Sequence, residues 1–181
     1  MSKKPDAVFC DVFGGDFASL VKQAAPLGYF KAIQNRLIDG GEVGTVDLAQ
    51  ALGADYPYGI ISDAYDPVVW GEGETPEHKE YIAKLEKAMN SKYGSGWAIM
   101  GYMAVTAIAV GVKKAGATDS DKVSKALLGI TFDTPVGKRT ISEKTHETEA
   151  GEFWSEMVKD PNVPFAVMKK PVYIDPAPLL K

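Results

Sequence analysis

The chain has 181 residues, 45% hydrophobic and 24% charged, an ordinary globular composition for one domain or two small ones. Its 24 acids against 20 bases give a formal net charge of -4, and no Lys/Arg cluster forms a phosphate-tracking stripe, which excludes an obvious nucleic-acid partner. A single cysteine, Cys10, excludes an intramolecular disulfide.

Met-Ser-Lys-Lys-Pro runs directly into an apolar pattern, so the sequence shows no export signal with its apolar h-region. In the stretch Asp6–Asp16, Val8, Cys10 and Val12 alternate with Phe9 and Asp11 in a run apolar enough for a buried strand, Cys10 being an inert buried thiol. The strand breaks at Gly14-Gly15, and a helix is predicted to open at Asp16, with Phe17, Leu20, Val21 and Ala24 on one face. Pro26 and Gly28 end that helix. Arg36–Asp39 is a second short strand that meets another glycine pair, Gly40-Gly41. Thr45 or Asp47 caps a second helix with Val46, Ala49 and Leu52 inward, and Gly59–Ser62 is a third strand. The order strand–helix–strand–helix–strand predicts an α/β fold with parallel strands.

Asp63–Thr75 is rich in Asp, Pro, Gly and aromatics and marks a connection leaving the sheet. Pro76 suits a helix first turn, and Tyr81, Ile82, Leu85 and Met89 give that helix an apolar stripe. Trp97–Lys114 is apolar around almost its whole circumference, which demands cover on several sides. Its apolar run, Trp97–Val112, is shorter than the roughly 20 residues of a membrane span, so the chain is not expected to be membrane-inserted. Thr118 or Asp119 caps a shorter helix carrying Val123, Ala126 and Leu127. Strands are expected at Arg139–Glu143, Gly151–Val158 and Phe165–Met168, the last within a proline-rich tail, Asp160–Lys181. Three parallel strands do not cover the helix at 97–114, so the layout leaves it without an obvious sheet.

Sites are expected where parallel strands end, because loops at carboxyl ends converge there in open α/β sheets. The Gly14-Gly15-Asp16 turn lacks the third glycine of a dinucleotide fingerprint and the Gly-Lys-Ser/Thr of a P-loop, and Asp16 would repel phosphate. Two readings remain for it: an Asp cap on a tight turn, or an acceptor for a ligand's ammonium or hydroxyl group. Asp39 and Glu42, after the second strand, could join Asp16 in one acidic rim. His78 and His146 have no metal-ligand spacing, so no metal site is expected, and no nucleophile elbow or cofactor motif points to catalysis. Tyr56, Tyr58, Tyr65 and Trp70 either pave a cleft or serve as packing.

Six segments taken together resemble the type I periplasmic solute-binding proteins of ABC transporters, of the branched-chain amino-acid-binding kind. They are KKPDAVFCDVFGGDFASLVKQAAPLG, RLIDGGEVGT, YPYGIISDAY, TPEHKEYIAKLEKAMNSKYG, WAIMGYMAVTAIAVGVKKAG and ALLGITFDTPVGKRTISEKTH, in the family's order from about Lys3 to about Lys159. The resemblance implies a parallel-sheet, partial two-lobe fold: 1–64 as part of the second lobe, 65–148 returning to the first, and 149–181 as the final crossing. It also implies that the chain corresponds to the carboxyl-terminal portion of such a protein. By the same comparison, ligand contacts fall on Gly15 and Asp16, and around Asp39, Gly41 and Glu42. Relatives often carry an aromatic where Asp16 stands, so ligand identity does not transfer; an amino acid, an amide or urea, or an aromatic acid are all open. The function implied is non-catalytic solute binding by hinge closure, periplasmic, without cofactor, with an ABC permease as partner. Self-association through an exposed Trp97–Val112 helix is a further expectation. The alternatives are a ligand-sensing module of a receptor or regulator, and an α/β enzyme domain using the acidic rim.

Overall fold

The computed structural model describes residues 5–33 and 36–178. The chain opens with β1 (Val8–Cys10), α1 (Gly14–Ala24), α2 (Tyr29–Ile33), β2 (Leu37–Asp39), α3 (Val46–Leu52) and β3 (Ile61–Ala64). It continues with α4 (Pro76–Met89), α5 (Ala98–Ala115), α6 (Ser120–Leu127), β4 (Thr131–Thr134) and β5 (Gly137–Thr140). It ends with β6 (Glu152–Lys159), β7 (Ala166–Met168) and β8 (Val172–Ile174).

One mixed sheet organises the chain, in the order β1-β2-β3-β6, with β7 and β8 sharing the far edge of β6. β1, β2 and β3 run parallel, in register through Cys10↔Asp39 and Asp39↔Ser62, as the alternation of strands and helices predicts. β6 is antiparallel to β3, with Asp63 opposite Trp154. The sheet is therefore assembled from the two ends of the chain, and α4, α5, α6 and the β4–β5 hairpin are inserted between β3 and β6.

The core sits where α1 and α3 cover this sheet. Phe17 and Val21 of α1, Leu37 of β2, Val43, Ala49 of α3, Ile60, Met157 and Met168 are almost completely buried. Phe17 and Val21 are spaced four residues apart, so both point from one helical face into the core. Burial of such a side chain contributes about 2–3 kcal/mol.

Several expectations change. β1 is not a buried strand but the sheet's edge: no strand among the described residues pairs with its outer side, and Phe9 is 70% exposed. Cys10 is accordingly half-buried; burial and then the Asp39 carboxylate push its thiol up to about 11, so it remains protonated. α1 begins at Gly14 rather than Asp16, and its N-cap is Phe13, which makes no side-chain cap. Thr45 caps α3 without a side-chain bond, while Asp47 accepts from the amide of Gly96 at 3.0 Å. Asp119 does cap α6, accepting from Lys122 N at 3.1 Å.

The expected strand at Arg139–Glu143 is the second arm of a hairpin whose first arm is Thr131–Thr134, joined through Gly137 at φ +106°. A left-handed residue at that turn suits glycine, which has no Cβ to clash. α2 and β8 carry too few residues for a period to show in the sequence. Of the proline-rich tail, 179–181 lies outside the described residues.

α5 meets only half of its demand for cover. Ile99, Met103, Ala107 and Gly111 are buried, a stripe that repeats every four residues. A Cβ on Gly111 would come within 2.8 Å of Leu127, so the glycine permits close approach of α6. On other faces Met100, Tyr102, Val105 and Ile108 are exposed.

Candidate functional site

The carboxyl ends of β1 and β2 deliver two glycine turns side by side. After β1 the chain passes through Phe13, whose carbonyl accepts from the amides of Asp16 and Phe17 at 3.1 and 3.4 Å and so starts α1. Gly14 takes φ +53°, a left-handed value that lets the strand turn abruptly into the helix. Gly15 and Asp16 are both exposed, and a Cβ on Gly15 would meet nothing within 4 Å. Asp16 sits in the first helical turn, where the helix dipole favours negative charge.

After β2, Gly40 N donates to Cys10 O at 3.0 Å, which ties the second turn to the first strand. Gly41 then runs against the first turn: a Cβ there would lie 2.6 Å from Val12 O. Asp39 Oδ1 accepts from Gly41 N at 2.9 Å and shapes this loop from within. Glu42 holds φ +56° and donates its amide to Asp63 Oδ1 at 2.9 Å, while its Oε2 accepts from Tyr65 N at 3.2 Å.

The single acidic rim expected from Asp16, Asp39 and Glu42 is not what forms. Asp16 stands in solvent, but Asp39 is fully buried and Glu42 nearly so, both side chains turned inward to satisfy loop amides. Spacing along the chain locates a carboxylate near a strand end without saying which way it turns.

Behind the two turns lies a cluster that was not legible in the sequence. Carboxylate oxygens of Glu42, Asp63 and Glu152 lie within 4.8 Å of one another. Burial pushes Glu42 up to about 8, with the neighbouring Asp63 adding to the shift. Burial and then Glu152 push Asp63 up to about 7. Glu42 Oε1 and Asp63 Oδ2 are buried without a hydrogen-bond partner among the described residues. The three residues are 42, 63 and 152, and only the β3–β6 pairing brings the last to the first two.

The expected aromatic group also divides. Tyr56 is buried and donates to Val43 O at 2.6 Å, Tyr58 packs on Tyr56, and Trp70 packs on His78 and Phe153. Of this group, Tyr65 reaches towards the first turn, in an edge-to-face row in which Trp97 lies 6.3 Å from Tyr65 and 5.7 Å from Phe13 between ring centroids. Phe13 is 58% and Trp97 38% exposed, so this row offers apolar surface beside the two turns. Trp97 was missed because it reads as an ordinary apolar residue of a helix start. Next to Tyr65, a recess of about 270 Å³ opens towards Met100 and Ala150. A larger cavity of about 400 Å³ lies elsewhere, between Trp70, Arg139 and Tyr173.

The arrangement offers the exposed Asp16 carboxylate and aromatic faces beside it, which suit binding of a small polar molecule. The sequence matches the family described as periplasmic binding protein over residues 1–158. It is 39% identical over 71 residues to the leucine-, isoleucine-, valine-, threonine- and alanine-binding protein of Pseudomonas aeruginosa, a stretch covering 39% of this chain and 19% of that protein. The fold is similar to a solute-binding protein of an ABC transporter from Rhodopseudomonas palustris BisB5, solved with 3,4-dihydroxybenzoic acid. That likeness has a TM-score of 0.75 and 22% identity, over 98% of this chain and 48% of the other. It is also similar to an ABC-type branched-chain amino acid transporter structure from Rhodopseudomonas palustris CGA009, with TM-score 0.63 and 25% identity, over 90% of this chain and 41% of the other. The chain thus spans less than half the length of the relatives it matches, and the mixed, parallel-rich α/β sheet is theirs. The chain belongs to the periplasmic binding protein family.

Proposed function

We propose that this chain forms one wall of the substrate-binding component of an ABC uptake transporter, a non-catalytic protein working in the periplasm or at the outer cell surface. The observation that carries the reading is the contact between the two turns, Phe13–Asp16 and Asp39–Glu42, at the carboxyl ends of neighbouring parallel strands. The solute rests against Gly15, Asp16, Gly41 and Glu42, with Asp39 holding the Gly41 amide in place and the Tyr65–Trp97–Phe13 row packing its apolar part. In this division 1–64 and 149–181 belong to one lobe and 65–148 to another, and closure between lobes buries the solute. A permease takes up the released solute.

The chemistry of the wall favours a solute that presents nitrogen donors here, an amino acid, amide or urea, over an aromatic acid. Asp16 presents an exposed carboxylate beside the two turns, and it forms no ion pair with a base among the described residues. A solute carboxylate facing it would be repelled. Calorimetric titration with leucine, urea and 3,4-dihydroxybenzoate tests this. Heat of binding is expected for a nitrogen-bearing solute, with affinity lost in Asp16→Ala. Binding of the benzoate alone, unchanged by Asp16→Ala, overturns it.

A further inference from the structure

We propose that Glu42, Asp63 and Glu152 form a binding site for a hard divalent cation, of the calcium, magnesium or manganese class. The site lies where the carboxyl end of β3 meets the first residue of β6, behind the solute wall. It shares Glu42 with the proposed solute wall but uses neither Gly15 nor Asp16, and its geometry stands without a bound solute.

Geometry is the first support. Three carboxylate oxygens within 4.8 Å of one another can all reach one ion at the roughly 2.3–2.6 Å of calcium coordination after shifts of a few tenths of an ångström. With Glu42 Oε2 and Asp63 Oδ1 held by backbone amides, the three carboxylates supply up to four free oxygens, and water can complete the shell. An all-oxygen donor set selects hard cations over zinc or copper.

The second support is independent of the clustering. Glu42 is 8% and Asp63 0% exposed, yet Glu42 Oε1 and Asp63 Oδ2 have no hydrogen-bond donor among the described residues. Their sister oxygens are already engaged, by Tyr65 N and by Glu42 N, which fixes both carboxyl groups in place. No described ion pair involves Glu42, Asp63 or Glu152. Buried carboxylates without a partner are normally neutralised or metal-bound. A cation would satisfy both orphan oxygens at once and clamp the loop after β2 to β3 and β6.

The test uses the 181-residue chain, stripped with a chelator and titrated with CaCl2, MgCl2 and MnCl2 in the absence of any solute. One ion is expected to bind per chain, with a dissociation constant on the order of 10⁻⁴–10⁻³ M, as for sites with few protein ligands. At 5 mM it should raise the melting temperature by roughly 2–8 °C. Glu152→Gln, a half-buried position, should weaken binding at least tenfold while the chain stays folded, and Asp63→Asn should do the same if it folds. Asp16→Ala should leave ion binding unchanged even where it abolishes solute binding. The proposal is overturned if none of the three ions stabilises the folded chain, or if ammonium chloride at equal ionic strength does so as well. Binding that survives Glu152→Gln overturns it too, by placing the ion elsewhere.

Discussion

His78 Nε2 lies 2.9 Å from Asp66 Oδ1, in a pair that is almost completely buried, and the other ring nitrogen, Nδ1, lies 2.7 Å from Glu74 Oε1. Asp66 follows β3, Glu74 precedes α4, and His78 is in the first turn of α4, so one imidazole ties the exit from the sheet to the helix that follows. Thr75 caps that helix, accepting from His78 N at 3.2 Å. Trp70 packs against the ring, and Tyr81 stands beside it at a centroid distance of 6.1 Å.

This pair gives a pH dependence. Burial alone would lower the His78 pKa, but the hydrogen bonds to Asp66 and Glu74 outweigh it and raise the value above 6.5. A group whose folded pKa is raised stabilises fully below its unfolded pKa and ceases to do so as pH rises through the folded one. Stability should therefore decline from about pH 6.5 upward. Glu42 and Asp63, also raised, act in the same direction as they ionise. The difference between native and His78→Gln melting curves across pH 6–9 isolates the histidine. It should be large at pH 6 and shrink by pH 9; a constant difference refutes the charged bridge. His78→Ala, which leaves Asp66 buried and unpaired, should cost about 3–5 kcal/mol.

The glycines of the two turns differ in kind. Gly41→Ala puts a Cβ 2.6 Å from Val12 O, a backbone atom that cannot move aside cheaply, and should destabilise by about 1–3 kcal/mol in chemical denaturation. Gly15→Ala meets open space inside α1 and should be neutral or stabilising by about 0.5–1 kcal/mol. If the solute rests on the Gly15 backbone, that same variant loses solute affinity while gaining stability.

Asp16→Ala should cost little stability, about 0.3–1 kcal/mol from the helix dipole, because the carboxylate is exposed and forms no cap. A loss above 2 kcal/mol by urea denaturation would show a structural role that the geometry does not contain.

The exposed side of α5 predicts self-association of the isolated chain. Val105 is 69% and Ile108 55% exposed, alongside Met100 and Tyr102, a continuous apolar strip of the kind that soluble monomers seldom present. Sedimentation velocity at tens of micromolar should show dimers or larger species together with binding of a hydrophobic dye. Val105→Lys with Ile108→Lys should return the chain to monomer with melting temperature unchanged, since neither side chain is buried. A native monomer that binds no dye would refute this.

Local pattern carried much of the architecture. The alternation at Val8–Val12, the 3–4 spacing of Phe17, Leu20, Val21 and Ala24, and the glycine pairs after two strands specify parallel β–α–β order, because period and turn chemistry are properties of neighbouring residues. The same pattern marks Gly15, Asp16, Asp39, Gly41 and Glu42 as strand-end residues. Side-chain direction was decided elsewhere. Asp39 and Glu42 turn inward because the amides of Gly41 and Tyr65 need acceptors, and the second of these amides is 23 residues away. The meeting of Glu42 with Asp63 and Glu152, the bridge of His78 to Asp66, and the Phe13–Trp97–Tyr65 row all join distant parts of the chain. The sequence by itself determined the order of the opening strands and helices; the tertiary structure decided where α1 begins, that Thr131–Thr134 pairs with Gly137–Thr140, and which charges share one buried space, because these depend on contacts between distant parts of the chain.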